Sequence, residues 1–211
     1  MSVADIFQSI LEFKRDEIAD LVQAEIDAGT DISDILEEGL IGAMAEVGDQ
    51  FSEGQLFVPE MLQAAETMKT GLAVLRPLLM DADIAPRGTV VIGTVKGDLH
   101  DIGKNLVGMM LEGAGFTVID LGVDVEPKAF MDAAIENEAQ LVAMSALLTT
   151  TMPVMGQCIR QFKDAGIRAR IIVGGAPVNQ DYAIKINADG YKSDAPGAVE
   201  LAKSLVPEPG S

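Results

Sequence analysis

Apolar residues recur at three- and four-residue steps through the first 80 positions of the chain. Ile6, Ile10 and Phe13, then Ile18, Leu21, Val22 and Ile26, follow the helical period. "AGTDIS" at 28–33 breaks the pattern and offers Asp31 or Ser33 as an N-cap. Ile32, Ile35, Leu36, Leu40, Met44, Val47 and Phe51 mark the next helix. "SEGQLFVPE" then reads as a turn, with Pro59 suited to a first helical turn. Val58, Met61, Leu62, Ala65, Met68, Leu72 and Leu75 mark the last helix. The pattern predicts a bundle of about four helices.

The polar stretch "DADIAPRG" at 81–88 reads as a connection, and beyond it the period changes. "TVVIGTV", "TVIDLG", "LVAMSAL" and "RIIVGG" are short runs rich in β-branched residues, and "DGYKS" is a weaker fifth. Helical patterns follow them near 101–114, 127–138, 153–165, 178–186 and 195–205. Alternation of this kind predicts a parallel sheet with helices on both faces. The fold class is therefore a helical bundle followed by a doubly wound, five-stranded, flavodoxin- or Rossmann-like sheet. The expected division is a helical module at 1–83, a linker at 84–88 and an α/β module at 89–211, with "PEPGS" as a frayed tail.

Composition narrows the function classes. The net charge is −18, and residues 1–80 alone carry 16 acidic and 4 basic side chains. Such a surface repels nucleic acid and anionic membranes and suits basic patches on protein partners. One cysteine, Cys158, excludes a disulfide framework and reads as a small core residue. The opening "MSVADIFQSILEF" has no basic start and no unbroken apolar core, so no secretory signal is expected. No apolar run reaches membrane-spanning length, and the expectation is a soluble cytoplasmic protein.

In open α/β sheets ligands bind beyond the carboxyl ends of the strands. The first such end reads "KGDLHDIGKN" and contains His100, the only histidine of the chain. The loop lacks GxGxxG, GxxxxGK[ST] and a second histidine or cysteine, and the chain has no GxSxG. What remains is one imidazole on a glycine-flanked loop with Asp98 two residues before it. That suits a metal that arrives with its other ligands already in place, the carboxylate fixing the ring tautomer. A surface histidine next to Asp101 as the N-cap of the following helix is the plainer alternative. The third and fourth strand ends, "SALLTTTM" and "GGAPVN", are also unusual, whereas "DLGVDV" at the second is the least informative.

These residues carry a family resemblance. Asp98-Leu99-His100-Asp101-Ile102-Gly103 matches the D-x-H-x-x-G motif of B12-binding domains, Ser145-Ala146-Leu147 matches the S-x-L element, and Gly174-Gly175 matches the paired glycines that follow. "FVPEMLQAAETM" resembles the cap module that precedes such a domain in cobalamin-dependent methionine synthase. Taken together, the chain resembles the stand-alone corrinoid proteins of anaerobic methyltransferase systems.

The resemblance implies cobalamin as cofactor, methylcobalamin in the loaded state. It implies His100 as the lower axial ligand of cobalt, replacing dimethylbenzimidazole, with Asp98 as its hydrogen-bond partner and Thr151 where the relay usually has a serine. Gly97, Leu99, Asp101 and Gly103 flank that ligand. Ser145, Leu147, Thr149, Gly174, Gly175 and Ala195 would line the slot for the nucleotide tail, the glycines as a floor where a Cβ would clash. Phe51, Val58 and Met61 would cover the methyl face and Glu37 would meet the upper side of the cofactor. Phe51 and Val58 also lie on helical stripes that serve a core.

The implied activity is methyl carriage. Co(I) accepts a methyl group from a substrate:corrinoid methyltransferase, and methyl-Co(III) donates it to a second methyltransferase acting on tetrahydrofolate or a similar acceptor. A reductive activase is the third expected partner; nucleic acid and membrane are not expected. The Asp98–His100–Thr151 chain would couple cobalt ligation to a proton. Asp98→Asn is expected to do less than His100→Ala, because an amide of the same size can still accept from the imidazole N–H, although the charge is lost. The rival readings are a B12-dependent sensor, an isomerase subunit and a plain flavodoxin-like binding module.

Overall fold

A computed structural model describes residues 2–81 and 86–207. Residues 84 and 85 of the expected linker, and 208–211 of the expected tail, lie outside the described residues. The chain divides into two units, Met1–Ala85 with Glu112–Gly115, and Pro86–Leu111 with Phe116–Ser211.

The first unit is helical. It contains α1 (Val3–Leu11), α2 (Arg15–Asp27), α3 (Ile32–Asp34), a π-helical stretch Ile35–Ile41, α4 (Gly42–Ser52) and α5 (Val58–Asp81). The sequence shows no glycine between α1 and α2, yet the chain turns there through Phe13 at φ 59°. Asp31 is the N-cap of α3, its carboxylate accepting from the Ser33 N–H at 2.8 Å. Ile6, Ile10, Ile18, Val22, Leu40 and Met68 are buried and form the core that the periodicity predicts. Gly71 lets α5 approach α2, because a Cβ there would stand 2.9 Å from Ile18 Cγ1. The π-helical stretch is not foreshadowed by the apolar pattern; its last turn closes with the Gly42 N–H on the Glu37 carbonyl.

The second unit alternates strand and helix: β1 (Thr89–Thr94), α6 (Ile102–Gly113), β2 (Thr117–Asp120), α7 (Pro127–Glu136), β3 (Leu141–Ser145), α8 (Met152–Asp164), β4 (Arg170–Gly174), α9 (Gln180–Ile186), β5 (Gly190–Tyr191) and α10 (Ala195–Leu205). Every pairing is parallel and the order is β2-β1-β3-β4-β5. The fold class is thus the one the sequence predicts. Val91, Val142, Met144, Phe130, Phe162 and Ile171 belong to the core between sheet and helices.

This order places the site. From β1 the chain crosses to β2 on one side, and from β3 it crosses to β4 on the other. The loops leaving β1 and β3 therefore part at neighbouring carboxyl ends, the crevice where such sheets bind ligands. Register aligns Thr94, Ser145 and Gly174 across the three central strands at that edge.

Candidate functional site

The β1–α6 loop carries Asp98 and His100 out of the sheet edge. Asp98 is fully buried, at 0 % exposure, while the His100 side chain is 52 % exposed. Asp98 Oδ1 lies 2.7 Å from His100 Nδ1 and accepts the His100 backbone N–H at 3.2 Å. Its Oδ2 reaches the next loop, accepting the backbone N–H of Leu147 at 2.7 Å, that of Leu148 at 3.1 Å and the Thr151 hydroxyl at 2.8 Å. Buried Thr94 donates its hydroxyl to the His100 carbonyl at 2.9 Å. His100 is thus held at its backbone N–H, its backbone carbonyl and its ring Nδ1. Among the described residues nothing engages Nε2.

Protonation follows from these partners. Burial works to raise the Asp98 carboxyl, but hydrogen bonds from His100, the Leu147 N–H and the Thr151 hydroxyl outweigh it and hold the group well below the usual carboxylate range. An ionised carboxylate only accepts, so Nδ1 carries the ring proton and the neutral ring keeps its lone pair on Nε2. That is the tautomer a metal requires. The bond pattern also corrects one expectation. An amide at position 98 must turn its oxygen toward the two backbone donors of Leu147 and Leu148, which leaves its NH₂ facing His100. It cannot then accept from the imidazole N–H.

The third and fourth strand ends meet this arrangement. Ser145 and Gly174 are register partners, and the Ala146 N–H donates to the Gly174 carbonyl at 3.2 Å. The paired glycines serve different purposes. A Cβ on Gly174 would meet no atom, so it borders open space, whereas Gly175 has φ 121° and a Cβ there would lie 1.9 Å from the Ala146 carbonyl oxygen. Gly175 is thus demanded by the chain's own backbone. Leu147 is exposed, as is Leu99. Gly97, Asp101 and Gly103 are exposed, Gly97 at φ 84°. Asp101 immediately precedes α6 and its carbonyl accepts the Asn105 N–H at 2.7 Å. Thr149 is exposed; Thr151, two residues on, also donates toward the Leu148 carbonyl at 2.8 Å. Ala195 is buried under the first turn of α10, whose N-cap is Asp194, so it offers little surface to a ligand.

In the helical unit, Glu37 lies exposed within the π-helical stretch. Phe51 is half-buried on α4, Val58 is exposed at the start of α5, and Met61 is fully buried one turn later. The most exposed aromatic there is Phe57, at 67 %, which sequence reasoning passed over.

Three further residues escaped the sequence reading. Thr94 looks like an ordinary strand threonine. Lys104 is buried and donates to both Asp120 oxygens at 2.6 and 2.5 Å and to Asn105 Oδ1 at 2.7 Å, tying α6 to the end of β2. Asp124, in the stretch that seemed least informative, accepts the Gly97 N–H at 2.8 Å. The Gly-x-Asp spacing after β2 is the signal that marks it, as a turn sequence.

Comparison with known proteins identifies the family. Two models described as B12 binding domain match the chain, one over residues 88–200 and the other over residues 3–76. The trimethylamine corrinoid protein 1 of Methanosarcina acetivorans is 43% identical, the match spanning 97% of this chain and 96% of that one. The methanol:cobalamin methyltransferase complex of Methanosarcina barkeri contains a chain with a TM-score of 0.86 at 30% identity, covering 97% of this chain and 79% of that one. A cobalamin-binding protein of Desulfitobacterium hafniense has a TM-score of 0.80 at 27% identity, covering 98% and 99%.

Proposed function

This chain belongs to the B12-binding domain family and takes a corrinoid as its cofactor, and from that premise we propose that it is a methyl carrier whose cobalt is ligated from below by His100. The carrying observation is the single imidazole at the β1/β3 crevice, tethered at Nδ1 to a buried carboxylate and unengaged at Nε2.

The residues present fit such a cofactor. Nε2 offers one nitrogen to a metal that brings its other ligands. Leu99, Ile102, Leu147 and Leu148 expose apolar side chains around the strand ends, as a flat macrocycle needs. Gly174 leaves room beside Ser145 for a nucleotide tail. When bound, the corrinoid supplies a cobalt centre able to take up and release a methyl group. Asp98 then fixes the tautomer by accepting from Nδ1, which leaves Nε2 as the free ring nitrogen. Thr151 holds the far oxygen of Asp98 and so steadies the carboxylate that orients the ring.

On the helical unit we assign Phe51 and Val58 to shielding and Glu37 to a polar contact, on the strength of the family resemblance; Met61 is fully buried and can only support them from the core. The proposed partners are a substrate:corrinoid methyltransferase, a tetrahydrofolate-dependent acceptor methyltransferase and a reductive activase. The relative named for trimethylamine, at 43% identity, is more similar than the methanol system's chain at 30%, so trimethylamine is the first donor to test. The purified chain would be reconstituted with hydroxocobalamin, reduced, and mixed with trimethylamine and a trimethylamine methyltransferase while corrinoid absorption is followed. Donor-dependent conversion of about one corrinoid per chain supports methyl carriage. Stable corrinoid binding without conversion by any methyltransferase, the methanol enzyme included, would favour a sensor instead.

A further inference from the structure

We propose that Asp124, on the β2–α7 loop, is a positioning residue that sets the aim of the His100 imidazole by fixing the backbone from Lys96 to Asp98. The inference rests on the reading of His100 as the cobalt ligand.

Asp98 cannot orient the ring unaided, because it sits on the same short loop as the ring. That loop leaves β1 through Gly97, at φ 84°, a residue free to rotate unless something holds it. The β3–α8 loop holds the carboxylate of Asp98, but the backbone needs its own anchor. Asp124 supplies it at three points. Its Oδ1 accepts the Gly97 N–H at 2.8 Å, its own N–H donates to the Asp98 carbonyl at 3.0 Å, and its Oδ2 receives Lys96 Nζ at 3.1 Å. The lysine contact is exposed and contributes little by itself; the two backbone bonds do the fixing.

Asp124 is itself firmly placed. The Thr94 N–H donates to the Gly122 carbonyl at 2.9 Å, and the Val125 N–H donates to the Thr94 carbonyl at 3.0 Å. Val95 and Val125 continue as a parallel bridge. Between these points Asp124 adopts φ 57°, a left-handed conformation uncommon outside glycine, though aspartate and asparagine tolerate it better than most. Such strain persists only where neighbouring structure over-determines it. Here every bond made by the strained residue ends on the three residues up to and including the ring's partner.

Three substitutions separate the contributions. Asp124→Asn keeps an acceptor and tolerates the conformation. Asp124→Gly keeps the conformation and loses the acceptor. Asp124→Ala loses both. Because the chain has one histidine, nitrogen NMR of the cofactor-free protein reads the tautomer of this ring alone. EPR of the reconstituted Co(II) protein reads ligation separately. Asp124→Asn should match wild type, whereas Asp124→Gly and Asp124→Ala should mix the two tautomers, lose part of the histidine nitrogen splitting and retain corrinoid about 10-fold less tightly. If Asp124→Ala folds poorly, Asp124→Gly carries the same test without backbone strain. Wild-type tautomer and full ligation in Asp124→Gly would overturn the role of Asp124. Absence of histidine splitting in wild type would instead overturn the ligand reading, and an outcome of that kind is visible before any variant is made.

Discussion

Asp98→Asn isolates what the buried carboxylate does, because it preserves shape and removes only charge and one acceptor. In wild type, Oδ2 faces two backbone N–H donors at 2.7 and 3.1 Å and the Thr151 hydroxyl at 2.8 Å, while Oδ1 faces His100 Nδ1 at 2.7 Å. The amide has one acceptor oxygen, and the paired N–H groups claim it. Thr151 has the Leu148 carbonyl as an alternative at 2.8 Å, so its hydroxyl loses nothing. The amide NH₂ must then donate to Nδ1, which moves the ring proton to Nε2 and removes the lone pair from the nitrogen proposed to meet cobalt. Restoring the ligand tautomer means turning the amide against two N–H donors, at about 1–3 kcal/mol for each group left unsatisfied. Two such groups cost at least about 2 kcal/mol together, and about 1.4 kcal/mol is tenfold, so corrinoid should be retained at least about 30-fold less tightly, at or above the middle of the roughly 10–100-fold range for losing such a partner. Equilibrium dialysis against hydroxocobalamin gives the affinity, and nitrogen NMR of the single histidine gives the tautomer. An Asp98→Asn protein with the proton still on Nδ1 and wild-type affinity would refute the reasoning.

Other outcomes follow from the same coordinates. Gly175→Ala should cost about 3 kcal/mol or more in urea unfolding, from its positive φ and its approach to the Ala146 carbonyl; Gly174→Ala should stay within about 0.5 kcal/mol of wild type yet weaken corrinoid retention if the nucleotide tail lies there. Thr151→Val should cost about 1 kcal/mol, while Thr151→Ser stays near wild type in the same urea assay. Asp98 has a folded-state pKa below its unfolded value, so its stabilising contribution is fully present above the unfolded carboxylate range and is lost as pH falls from there through the lower folded value; acid titration of Asp98→Asn should lack that part of the slope. Burial pushes the Cys158 thiol up to about 12, so alkylation near pH 8 should proceed only after unfolding, as mass spectrometry would show.

Much of this architecture was legible because burial and periodicity write it directly. The β-branched runs become the strands, and the shift from a helical to a strand pattern near residue 88 separates bundle from sheet. Asp98 and His100 stood out because a lone histidine two residues from an aspartate is a chemical pattern, independent of fold detail. Residues that act through backbone geometry were harder to see. The left-handed conformation of Asp124 and its bond to a neighbouring loop have no counterpart in residue type. The need for Gly175 comes from the Ala146 carbonyl, which only the packing of two loops brings near. The π-helical stretch around Glu37 shares its apolar spacing with an ordinary helix, so periodicity is blind to it. Ala195 was named from the family resemblance alone, and its burial in the first turn of α10 has no counterpart in its residue type.

The central claim is that His100 Nε2 is the lower ligand of the corrinoid cobalt. Because the chain holds one histidine, feeding 15N-histidine labels this imidazole and no other. The reconstituted Co(II) protein would be examined by EPR with and without the label. The account predicts that each cobalt line, split into a triplet by ordinary nitrogen, becomes a doublet on labelling. A triplet that survives labelling would place another nitrogen on the metal and contradict the account.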